Sequence, residues 1–128
     1  MSDKKLTSVQ KKEIEAFLRG YCMNQKMLRM EKYEKEFFGD NELRESDGMP
    51  CESSLARARM FEVRHFILSL ENSDEKLFLY YHYVKGDSVE RCSELLGISV
   101  RTAYRLKARS LELAYREGRT KGVIDNIM

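Results

Sequence analysis

One short stretch concentrates residues able to do chemistry. Between Ser99 and Leu111 the chain carries four bases, Arg101, Arg105, Lys107 and Arg109, and no acid. An arginine guanidinium donates two parallel hydrogen bonds in a fixed fork, which matches O6 and N7 of guanine in a major groove. Arg101 and Arg105 lie four residues apart near the start of an expected helix, the part that enters a groove. Thr102 beside them can bond a base or offer its methyl group to thymine. Tyr104 suits either the groove edge or the core. Lys107 and Arg109 lie further along and suit phosphates, which set affinity and register rather than sequence choice. Lys107 projects toward the apolar side, so its stem should pack while its amine escapes to solvent or phosphate. Ser88 and Ser99 open two helices, where free backbone amides welcome a phosphate. Lys85 and Arg91 extend the same contact.

Such side chains need a scaffold, and the preceding residues supply its parts. Val89, Cys92, Leu95 and Leu96 form the apolar side of a short helix opened by Asp87-Ser88-Val89-Glu90, a capping-box spacing. Ser93 is small where two helices must approach. Gly97 can end the first helix in a left-handed conformation. Ile98 can plug the angle between the helices, and Ser99 can cap the second. On a helical wheel Arg101, Thr102, Arg105, Arg109, Glu112 and Arg116 fall on one side. Val100, Ala103, Tyr104, Leu111, Ala114 and Tyr115 fall on the other. A basic helix face is most often simply solvated, and two-helix hairpins are common in bundles. The conjunction of small residue, glycine, plug and cap gives this stripe its weight.

Other chemistry is poorly supplied. The three cysteines, Cys22, Cys51 and Cys92, are far apart, and none forms a C-x-x-C pair. Neither His65 nor His82 has ligand spacing to them, so reduced thiols and no metal site are expected. No phosphate-binding glycine loop, H-E-x-x-H or G-x-S-x-G occurs. The expectation is a protein that is not an enzyme and uses no cofactor. The longest apolar run, Leu77-Phe78-Leu79-Tyr80-Tyr81, is five residues. That is far below the roughly 20 a membrane span needs. The N-terminus leads into charge rather than a signal peptide. A cytoplasmic protein with no membrane partner is expected.

The remaining elements read as helices, and the fold class as all-α. Thr7 or Ser8 caps a long helix over about 8–37, with Ile14, Phe17, Leu18 and Tyr21 as a stripe. The pattern continues less regularly through Met23, Met27, Leu28 and Met30 to Tyr33 and Phe37. Residues 39–53 hold Asp47-Gly48 and Pro50, the only proline, and read as a linker. Ala56, Met60, Val63, Ile67 and Leu70 then recur at 4-3-4-3 spacing, which suits helix–helix packing. Asn72-Ser73-Asp74-Glu75 starts a third helix, with Leu77, Tyr80, Tyr81 and Val84 as its apolar face, Phe78 beside it, and Gly86 as its stop. The organisation is thus a long helix over 1–38, a linker over 39–53 and a connecting helix over 54–71. A helix-turn-helix over 72–117 and a frayed tail over 118–128 complete it.

The segment from Tyr83-Val84-Lys85-Gly86-Asp87-Ser88 to Ala114 resembles sigma-factor region 4. It shares the layout "Y-x-x-G-x-S … L-G-I-S", here with Leu95-Leu96-Gly97-Ile98-Ser99 followed by Val100-Arg101-Thr102-Ala103-Tyr104-Arg105. Where sigma-like helices read E-I-A, this chain has Arg91-Cys92-Ser93, which keeps an apolar and a small position. The architecture resembles the ArpU/RinA-type phage transcriptional regulators, small proteins with a helical N-terminal half and a C-terminal helix-turn-helix of this kind. The resemblance implies a phage or prophage activator of late genes, acting on double-stranded DNA in a bacterial host. It assigns DNA contact to Arg101, Thr102, Tyr104 and Arg105. The N-terminal half suits a homodimer arm, a contact with RNA polymerase, or a scaffold satisfied within one monomer. Alternatives are a helical adaptor (polymerase-binding or anti-activator) and a small phage DNA-packaging subunit. Net charge is +2 over 128 residues, but its distribution is uneven. Residues 1–71 hold 13 bases and 13 acids; residues 72–128 hold 10 and 8.

Overall fold

The computed structural model describes residues 6–38 and 52–124, and every element within them is helical. Helix α1 runs Ser8–Phe38, α2 Glu52–Leu68 and α3 Asp74–Leu79. The α3 chain continues without a break into a π-helical turn, Tyr80–Val84. Helices α4, Val89–Leu96, and α5, Val100–Lys121, follow. Among the described residues, no helix is long and apolar enough to cross a membrane.

Local chemistry explains the boundaries. Thr7 and Gln10 form a reciprocal box at the start of α1. The Gln10 amide donates to Thr7 Oγ1 at 3.1 Å, and the Thr7 amide donates to Gln10 Oε1 at 3.0 Å. Ser73 caps α3, where Asp74 and Glu75 meet the positive end of the helix dipole. Helix α2 begins at Glu52, two residues before the expected start. The expected linker otherwise lies outside the described residues.

Two apolar clusters hold the chain. The larger joins Ile14 and Leu18 of α1 with Val63, Phe66 and Ile67 of α2, Leu79 and Tyr83, and Leu111, Ala114 and Tyr115 of α5. The smaller joins Phe78, Val89, Cys92, Ala103 and Leu106. Ile14, Leu18 and Ile67 are fully buried, so truncating any of them to alanine costs about 2–5 kcal/mol. Helix α5 serves both clusters, its first turns the smaller and its later turns the larger. It therefore acts as one rigid rod between the two ends of the molecule.

Three expectations need correction. The apolar face of the third helix is Phe78, Leu79 and Tyr83, whereas Leu77 is exposed and Tyr80, Tyr81 and Val84 are only partly covered. The cause is that this helix lies between two clusters rather than against one. The π turn then advances its phase: the Lys85 amide donates to Tyr80 O at 3.0 Å, five residues back. The second correction is at the C-terminus. Helix α5 continues through Gly118 to Lys121 and closes at Gly122, φ +79°. The Val123 amide donates to Gly118 O and the Gly122 amide to Arg119 O, so the chain turns back and buries Ile124 in the larger cluster. Gly118 has a reason to be glycine, because a Cβ there would lie 2.8 Å from Ile124 Cδ1. Residues 125–128 lie outside the described residues. Third, the polar first six residues read as a frayed end, but Leu6 packs against the larger cluster.

Candidate nucleic-acid interface

Helices α4 and α5 are joined by Gly97, Ile98 and Ser99. Gly97 adopts φ +70°, ψ +35°. The Ile98 amide donates to Ser93 O at 3.0 Å and the Gly97 amide to Glu94 O at 3.3 Å, a double closure of the α4 C-terminus. Ile98 packs against the smaller cluster, as expected of a plug. Ser93 is buried, and its hydroxyl donates to Glu90 O at 2.6 Å. Ser99 Oγ accepts from the Thr102 amide at 3.1 Å and donates to Thr102 Oγ1 at 2.9 Å. Ser88 Oγ accepts from the Arg91 amide at 3.0 Å. Each turn residue thus holds α5 at a fixed angle on α4, with Ala103 and Leu106 turned inward.

The outward side of α5 carries Arg101, Thr102 and Arg105, all exposed. Among the described residues, neither Arg101 nor Arg105 has an ion-pair partner. The other two bases of the stripe are engaged. Lys107 departs from its expectation: its side chain is 24% exposed, and its Nζ lies 4.0 Å from Glu15 Oε2 of α1 rather than free in solvent. Arg109 Nε donates to Glu75 Oε2 of α3 at 3.3 Å. The four-base stripe therefore divides into an unpaired N-terminal pair and a C-terminal pair tied back to the body.

Tyr104, which the sequence left open, is 50% exposed. Its hydroxyl donates to Glu90 Oε2 at 3.3 Å, bridging α5 to α4 beside Arg101 and Arg105. Val100 is also exposed, at 41%, and Leu95 at 41%. Of the wheel's apolar side, Val100 and Tyr104 thus lie exposed on the first turns of α5, whereas Ala103 is buried.

Sequence reasoning missed Glu15. It sits where α1, α5 and the π turn meet, accepts the Tyr83 hydroxyl at 3.3 Å and also faces Arg19 at 3.8 Å. Its position on the α1 stripe, one residue from Ile14, was the available signal. Burial pushes the Tyr83 phenol well above its usual range, and the neighbouring Glu15 charge adds to that. His82 was also missed. Its ring lies between Phe78 and Tyr83, and its Nδ1 is 2.7 Å from Asp87 O. A carbonyl only accepts, so Nδ1 carries the proton. Burial holds this imidazole below its usual pKa, against the opposing pull of the Asp87 hydrogen bond. Burial likewise pushes the Cys92 thiol up to about 11.

Elsewhere, an open cleft of about 600 Å³ lies between the 69–73 turn and α5. Glu71, Glu75, Arg109, Glu112 and Arg116 line it with mixed charge. Among the described residues, no group of three or more His, Cys, Asp or Glu could hold a metal ion. No protein-family model, curated protein or solved structure matches the chain.

Proposed function

We propose that the protein is a sequence-specific DNA-binding transcriptional regulator. In this reading α4, the 97–99 turn and α5 are a helix-turn-helix of the sigma region 4 type, with α5 as its reading helix. The observation that carries it is the unpaired, exposed Arg101–Arg105 pair on the first turns of α5, held by the Gly97 closure and the Ser99 cap. Two guanidiniums that no acid pairs among the described residues are poised for guanine edges or phosphates. Thr102 lies between them for a base contact. Tyr104 sits at the groove edge, and the amides at Ser88 and Ser99 suit flanking phosphates. Arg109, 57% exposed though paired, can exchange Glu75 for a phosphate. Lys107 is assigned instead to the seam between α5 and α1.

The narrower reading, a phage or prophage activator of late genes acting in a bacterial cytoplasm, rests on the ArpU/RinA resemblance. Selection of bound duplexes from a random pool tests the broader one. Enrichment of a discrete motif of about one helical turn or two half-sites supports it; an unenriched pool overturns it. The adaptor reading would gain from a polymerase complex that survives loss of Arg101 and Arg105.

A further inference from the structure

The outward side of α1 carries an apolar line that the fold does not use. Val9, Ala16, Met23 and Met30 recur at strict seven-residue intervals, and all four are exposed. Val9 is 69% exposed, Met23 66% and Met30 65%. Met27 lies between the last two at the complementary heptad position and is also exposed. Ile14, Leu18 and Tyr21, which face α2 and α5, occupy the opposite side of the same helix. A straight helix drifts about 20° per heptad, so an unbroken seven-residue line suits a left-handed supercoil with a second helix.

We propose that this line is the seam of a parallel homodimer, in which α1 of one copy lies along α1 of another. Two arguments select a second copy. From Val9 to Met30 the seam runs about 33 Å along α1, and a matching partner helix needs the same length and period. The flanking charges are self-complementary in one arrangement. With Met23 and Met30 at the d positions, Lys26 is a g position and Glu31 the e position five residues later. A parallel pair in register sets each copy's Lys26 against the other's Glu31, twice by symmetry. Neither residue has an ion-pair partner among the described residues. The other g-to-e pairs, Lys12 with Phe17 and Arg19 with Asn24, oppose no like charges. Glu13 and Glu34 fall at a positions, where the two copies' carboxylates meet, and Gly20 at a third supplies no side chain, so Met27 is the one apolar a residue. These positions limit affinity, and Glu34 gives a handle on the geometry.

The seam lies away from α5, so the test needs no DNA and its outcome is separate from that of the DNA-binding reading. Sedimentation equilibrium of the full chain is run from about 1 to 300 µM, with circular dichroism confirming that each variant remains helical. A reversible monomer–dimer equilibrium is expected. Met23→Glu with Met30→Glu weakens it at least about 100-fold. Lys26→Glu and Glu31→Lys each weaken it about 5- to 30-fold, and the two together restore it to within about 3-fold. Glu34→Leu tightens it by about 10-fold or more. The proposal is overturned by a monomer across the whole range in both the native chain and Glu34→Leu. It is equally overturned by a dimer indifferent to the methionine changes, or by a double charge swap no better than the single ones.

Discussion

Replacing Glu15 with alanine should destabilise the fold by about 1.5–3 kcal/mol, and the structure apportions the loss. The Tyr83 hydroxyl donates to this carboxylate at 3.3 Å from a residue that is 4% exposed. A hydrogen bond to a charged acceptor contributes about 1.5–3 kcal/mol, and this one is long, which places it at the lower end. The Lys107 contact, at 4.0 Å and partly screened, adds about 0.5 kcal/mol; the exposed Arg19 adds less. For a chain of 128 residues, each kcal/mol lowers Tm by about 3–5 °C, so a fall of about 5–15 °C is expected. Urea unfolding of Glu15→Ala, Tyr83→Phe and the double variant forms a cycle. The coupling should be about 1–2 kcal/mol, since a lone buried phenol is what the single change leaves behind. Lys107→Met should lose only a few tenths of a kcal/mol. A cycle that is additive to within about 0.3 kcal/mol, or a Glu15→Ala Tm within about 1 °C of the native chain, would show that Glu15 does not tie these elements together.

Gly97→Ala forces a side chain into φ +70° and should cost about 1–2 kcal/mol by thermal unfolding; Gly97→Asn should cost less. His82 stays neutral in the fold with a pKa below its usual 6.5, so the unfolded chain binds the extra proton first. Its contribution is complete above about pH 6.5 and is lost as pH falls toward the lower folded value. Urea midpoints for the native chain should therefore decline through that window, and His82→Phe should remove that component. The buried Cys92 thiol, pushed up to about 11, should resist alkylation at pH 8 until the chain unfolds, while half-buried Cys22 reacts first; peptide mass mapping distinguishes them.

Much of this architecture was legible in the sequence because local rules and packing agree. Of the Ala56, Met60, Val63, Ile67 and Leu70 strip, all are buried as the spacing implies except Met60, which is partly covered. Ser93, Gly97, Ile98 and Ser99 each do what their size, backbone freedom, apolarity or hydroxyl suits them for. The failures arise where long-range packing overrides a single helical period. Phe78 and Leu79 are adjacent, yet each enters a different cluster, and the π turn that follows has no local signature. The C-terminal glycines read as fraying because the returning Ile124 that fits against Gly118 is a tertiary contact. At the candidate site the residue types were legible but their partners were not. Glu15 is 92 residues from Lys107 and Glu75 is 34 from Arg109, so no local window shows that half of the basic stripe is already paired.

That division of the stripe is the feature the DNA-binding account rests on. Its most direct test is fluorescence anisotropy on a selected duplex across a salt series, comparing the native chain, Arg101→Ala with Arg105→Ala, and Lys107→Met. The account predicts that each arginine contributes about 1–3 kcal/mol and that their joint loss erases discrimination against a scrambled duplex. Lys107→Met should leave both affinity and salt slope unchanged, because its amine is held by Glu15 rather than by phosphate. Equal binding by the double arginine variant and the native chain would contradict it.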